Sequence, residues 1–91
     1  MVDKIRCAHI LVKKQSLAYS ILERINKGES FSKLAEEFSI DSSRRRGGEL
    51  GYFGRGIMVK EFEKAAFSLN KGQISQPIKT QFGYHIIKRL D

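Results

Sequence analysis

Apolar and polar positions alternate at the start of the chain, then change period, and each change marks a new element. Ile5, Cys7, His9 and Leu11 share one face of an extended segment, while Arg6, Ala8, Ile10 and Val12 share the other. Both faces are largely apolar, which predicts a central strand covered on both sides. Beyond Lys13-Lys14-Gln15 the spacing becomes helical: Leu17, Ile21 and Ile25, flanked by Ala18 and Leu22, form a stripe that Gly28 closes. Ser30 is placed to cap a second helix whose inner face is Phe31, Leu34, Ala35 and Phe38.

The pattern breaks between Asp41 and Gly56. Here lie Arg44-Arg45-Arg46 and the glycines at 47, 48, 51, 54 and 56, which is loop chemistry. Asp41 can start a short helix near 41–46, and a short strand is predicted around Glu49–Phe53. Helical spacing returns at Phe62, Ala65, Ala66 and Leu69, and Asn70-Lys71-Gly72 stops it. Ile74–Thr80 and Tyr84–Leu90 read as strands joined by a tight turn at Gln81-Phe82-Gly83. The order is βααβαββ. It predicts an α+β fold, a four-stranded, mostly antiparallel sheet surrounded by helices, in one domain over residues 1–91.

Composition narrows the function classes. One cysteine in 91 residues excludes a disulfide scaffold and any C-x-x-C site. No apolar run reaches the roughly 20 residues of a membrane helix. The opening Met-Val-Asp-Lys-Ile-Arg does not read as a secretory leader, so a cytoplasmic setting is the expectation. Seventeen Lys+Arg against ten Asp+Glu leave a net charge of +7, which first suggests an acidic partner such as nucleic acid.

Candidate chemistry is sparse. His9 and His85 fall in the first and last strands and can meet if those strands pair, either as core residues or as a hydrogen-bonded couple. Zinc needs three or four ligands, and with only Cys7 near His9 no metal is expected. Cys7 lies in a buried strand, where a thiol is inert. The glycine cluster lacks the G-K-[ST] of a phosphate loop. Leu50, Phe53, Met58 and Phe62 stand in or beside it; they can complete the core or line a small pocket.

Cys7-Ala-His9-Ile-Leu11, Gly47-Gly48-Glu49-Leu50-Gly51-x-Phe53, Gly56-x-Met58-x-x-x-Phe62, Gly72-x-Ile74-Ser75-x-Pro77 and Thr80-x-Phe82-Gly83-Tyr84-His85 occur in that order. Together they resemble the parvulin family of peptidyl-prolyl cis/trans isomerases, from about Ile5 to Leu90. The resemblance implies a minimal single-domain isomerase, monomeric and free of cofactors, acting on X-Pro bonds in unfolded or flexible segments. It implies a proline pocket of Leu50, Met58 and Phe62, flanked by Phe53 and Phe82. It sets His9 and His85 beneath the substrate amide, with Thr80 close by. Asp41 falls where parvulins carry Cys or Asp. Beside an apolar pocket, its pKa is expected to rise by desolvation, although plain helix capping also fits.

Two positions depart from the family: Lys60 where Pro is common, and Ile57 where Gln is common. The phosphate-directed branch reads phospho-Ser/Thr with a basic cluster in a long loop after the first strand. Here Lys13 and Lys14 are that loop's cations and no arginine fork accompanies them, so phosphate-independent action is expected. Arg44, Arg45 and Arg46, beside Asp41, are candidates to favour an acidic residue before proline. The competing reading is a basic adaptor or chaperone with weak nucleic-acid or membrane-surface contact. No aromatic platform interleaves the basic residues, which argues against a dedicated nucleic-acid reader.

Overall fold

A computed structural model describes residues 3–91. Its elements are β1 (Lys4–Val12), α1 (Gln15–Asn26), α2 (Phe31–Phe38), a 3-10 helix (Ser42–Arg46), β2 (Glu49–Gly54), α3 (Lys60–Ser68), β3 (Ile78–Thr80) and β4 (Gly83–Arg89). The sheet runs β2-β1-β4-β3 and every neighbouring pair is antiparallel. β1 is therefore interior, as its two apolar faces require.

Each face of β1 feeds a separate half of the core. Ala8, Ile10 and Val12 pack with Ile86 against α1 and α2, through Ala18, Ile21, Leu22, Ile25, Phe31, Leu34 and Ala35. Ile5, Cys7 and Ile87 pack on the opposite side with Phe53, Phe62 and Ala66. On this second side α3 covers one end of the sheet, and the end bearing His9 and His85 opens into a cavity.

The chain between α2 and β2 is stitched to β1. The Leu11 N–H donates to Ser39 Oγ at 3.0 Å, and the Ile40 N–H donates to the Leu11 carbonyl at 2.8 Å. Ser30 caps α2 by accepting from the Lys33 N–H, and Asp41 caps the 3-10 helix by accepting from the Ser43 N–H at 3.0 Å. Gly48, at φ +86°, then brings its carbonyl within 2.9 Å of the His9 N–H. A Cβ there would lie 2.2 Å from the His9 carbonyl oxygen, so only glycine permits the approach.

The third strand is shorter than the apolar pattern suggests. Ile74 makes only an isolated bridge to Lys88, and regular pairing begins at Ile78. Pro77 has no N–H to donate, and Ser75 replaces regular ladder bonds with a mixed pair. Its N–H donates to the Ile87 carbonyl at 2.8 Å, and its hydroxyl accepts from the Ile87 N–H at 2.9 Å. The last strand runs Gly83–Arg89, one residue earlier at each end than its apolar stretch.

Candidate active site

Antiparallel pairing of β1 with β4 sets Leu11 opposite His85 and His9 opposite Ile87. The two histidines are thus diagonal neighbours on one face, close enough for their rings to meet. They stack with centroids 5.2 Å apart, and Nδ1 of one lies 3.0 Å from Nδ1 of the other. His85 Nε2 is 2.7 Å from Thr80 Oγ1, which also accepts from the Phe82 N–H at 3.1 Å. Phe62 stands edge-on to both imidazoles, at 5.5 and 5.3 Å.

Asp41 fixes the direction of this chain. Its Oδ2 lies 3.2 Å from His9 Nε2, at ion-pair distance, and among the described residues that nitrogen has no hydrogen-bond partner. A carboxylate facing that nitrogen favours the proton on it. His9 Nδ1 then accepts from His85 Nδ1–H, and His85 Nε2 accepts from the Thr80 hydroxyl. One proton sits between each pair, and both rings are neutral.

Titration agrees. Burial lowers the His9 pKa against the opposing pull of Asp41, and burial with the neighbouring His9 pushes His85 down to about 4. Burial also acts on Asp41 and would raise its pKa, as the sequence led us to expect. The Ser43 hydroxyl and N–H, with His9, outweigh it and hold the carboxyl below its ordinary range. Asp41 is therefore an anion beside a neutral imidazole.

These values set a pH dependence of stability. Below pH 6.5 the unfolded chain protonates its histidines while the folded chain leaves them neutral, so stability is complete above 6.5 and drains as pH falls toward 4. Thermal melts from pH 8 to pH 4, roughly spanning the titration range, are expected to show a flat Tm and then a decline. In His85→Phe the decline should shrink. An equal decline in that variant would contradict a neutral buried His85.

The cavity over the pair measures about 350 Å³ and is mainly apolar. Of the residues singled out from sequence, Leu50, Met58, Phe62, Phe82, His9, His85 and Asp41 line it. Phe53 does not: it is buried beneath Phe62, 6.0 Å between ring centroids, and belongs to the core. Thr80 is buried behind His85 rather than on the wall. Lys13 is held by the Phe82 carbonyl at 3.0 Å, and Lys14 precedes α1 as an exposed residue. Arg44, Arg45 and Arg46 line a second, larger groove on the far side of Asp41.

Sequence reasoning missed Leu11, Ile57 and Val59 as wall residues. Leu11 was legible in the alternation, one step beyond His9. Ile57 is 71% exposed and joins the wall only because the loop before α3 is pinned. Glu63 reaches back to accept from the Gly56 N–H at 2.6 Å, and the Arg55 guanidinium lies over the Phe67 ring at 4.2 Å.

The PPIC-type peptidyl-prolyl isomerase domain model matches residues 1–91. The chain belongs to this family. Curated relatives of this PPIC-type domain include the foldase protein PrsA of Geobacillus kaustophilus, 55% identical over 97% of the chain and 32% of the relative. The chain spans about a third of the length of such foldases. PrsA from Bacillus cereus superposes with a TM-score of 0.95 at 52% identity, covering 98% of this chain and 35% of that one. The parvulin of Nitrosopumilus maritimus matches over 100% of this chain and 99% of its own, with a TM-score of 0.90 at 58% identity.

Proposed function

We propose that this PPIC-type domain accelerates cis/trans isomerisation of X-Pro bonds in unfolded or flexible polypeptides, with no requirement for phosphate. The apolar cavity floored by two neutral, mutually bonded histidines carries the reading. Amide resonance opposes rotation with a barrier of roughly 18–20 kcal/mol, and no covalent bond has to break to lower it. The prolyl ring inserts among Leu50, Met58 and Phe62, which strips water from the amide. A dehydrated carbonyl loses the hydrogen bonds that favour the charge-separated planar form. The amide lies over His9 and His85, and the Asp41 anion beside its oxygen disfavours that planar form further. The site thereby favours the twisted geometry over either planar isomer. Neutral imidazoles suit this role, since no proton is transferred.

NMR exchange spectroscopy on an Ala-Pro peptide series tests the proposal. The domain should raise the exchange rate, and Met58→Ala should lower kcat/KM about tenfold, as loss of roughly 1.4 kcal/mol of apolar contact predicts. A peptide with phosphoserine before proline should be turned over no faster than its glutamate analogue. An unchanged exchange rate would reject isomerase action, and a large phosphate preference would reject phosphate independence.

A further inference from the structure

The outer wall of the proline cavity belongs to a loop that the sheet does little to hold. Ile57, Met58 and Val59 line the cavity from the segment between the end of β2 at Gly54 and the start of α3 at Lys60. Among the described residues, no backbone–backbone hydrogen bond reaches residues 55–58. Ile57 is mostly exposed, so burial does not fix it either.

The hold on this loop comes from α3. Glu63 Oε1 accepts from the Gly56 N–H at 2.6 Å. Its other oxygen lies 3.8 Å from the Arg55 guanidinium, which rests over the Phe67 ring at 4.2 Å. Glu63 and Phe67 are one helical turn apart on the same face of α3, so successive turns brace successive loop residues. Phe67 is itself seated edge-on against Phe53, 6.0 Å between ring centroids. An acidic residue in the first turn of a helix ordinarily serves that helix's own N-terminus. α3 has that need, since its N-cap is Val59 and no side chain caps it. The Glu63 carboxylate is nonetheless bonded to the loop, seven residues back.

We propose that Glu63 is a positioning residue: by fixing the Gly56 amide it holds Ile57 and Met58 where they receive the prolyl ring. The inference rests on the isomerase reading above and extends it to a side chain outside the cavity lining. Without the anchor, the wall occupies its receptive position for a fraction of the time, and apparent affinity falls by that fraction. Once substrate is seated the wall is in place, so the bound complex turns over as before. Loss of the anchor therefore appears in KM and leaves kcat alone.

Prolyl exchange on an Ala-Pro peptide, followed by NMR over a range of peptide concentrations, separates the two constants. Glu63→Ala should raise KM about 3- to 10-fold, the range expected for one lost hydrogen bond, with kcat held within about twofold. Glu63→Gln keeps an acceptor for the Gly56 N–H and should restore most of the affinity. A merely structural side chain would lower Tm without this split. The Gly56 amide should exchange slowly with solvent in the parent domain and lose that protection in Glu63→Ala. An unchanged KM in Glu63→Ala would overturn the proposal, as would a loss confined to kcat. Equal losses in Glu63→Gln and Glu63→Ala would do the same, because acceptance at Gly56 would then carry no weight. Should Glu63→Ala not fold, the parent's Gly56 amide decides: slow exchange supports the anchor and unprotected exchange rejects it. If no peptide is accelerated, the isomerase reading fails instead. Peptide titration followed by amide shifts then decides the anchor: weaker binding to Glu63→Ala, recovered in Glu63→Gln, supports it, and equal binding rejects it.

Discussion

Replacing Phe62 with alanine is expected to cost the domain about 3–5 kcal/mol of stability and most of its isomerase activity. Phe62 is 2% exposed and serves two structures at once. One side of its ring packs on Phe53 in the core, and its edge meets both imidazoles on the cavity floor. Truncation leaves a void under the site and frees the histidines to tilt. For a domain of this size, each kcal/mol shifts Tm by roughly 4–8 °C, so the effect is plain in a melt. Phe62→Leu separates the two roles. It retains most of the apolar volume and should cost under about 1.5 kcal/mol, while removing the aromatic edge from His9 and His85. Urea unfolding and prolyl exchange on both variants provide the check. Full activity in folded Phe62→Leu would show that the ring contributes packing alone.

Gly48→Ala is expected to destabilise the fold by about 2–4 kcal/mol, combining an unfavourable positive φ with the loss of a buried backbone hydrogen bond. The methyl group would sit 2.2 Å from the His9 carbonyl oxygen, so backbone must move. The movement disrupts the Gly48 carbonyl contact to the His9 N–H and displaces His9 from Asp41. Gly51 supplies the control. Its φ is +76°, yet a Cβ there meets nothing within 4 Å, so Gly51→Ala should show the conformational cost alone, about 1 kcal/mol. Equal losses in the two variants would mean that the approach to His9 carries no weight.

Much of the fold was legible because burial imposes a period. The two-faced alternation of β1 already demanded an interior strand, and the stripes of α1, α2 and α3 each demanded a sheet face to cover. β3 was overextended because Ile74 looks like strand residue in a pattern that cannot register the donor missing at Pro77. The site was legible through motif resemblance more than through spacing. Leu50, Met58 and Phe62 converge on one cavity, whereas Phe53, in the same run, turns into the core. Alternation around Gly51 could not show which of them faced the opening.

Asp41 marks the clearest division. Its neighbourhood to an apolar pocket pointed to a raised pKa, and the desolvation is present. The hydrogen bonds from Ser43 and the contact with His9 reverse the outcome, and both depend on three-dimensional geometry.

From the sequence alone came the element order, the interior strand, the family and the residues able to build a proline pocket, because periodic burial and ordered motifs are properties of the chain. Tertiary structure alone decided the diagonal meeting of the histidines, the direction of their proton chain and the charge of Asp41. Those depend on strand register and on distances of a few ångströms between segments far apart in sequence, where a shift of one residue would turn each side chain to the opposite face.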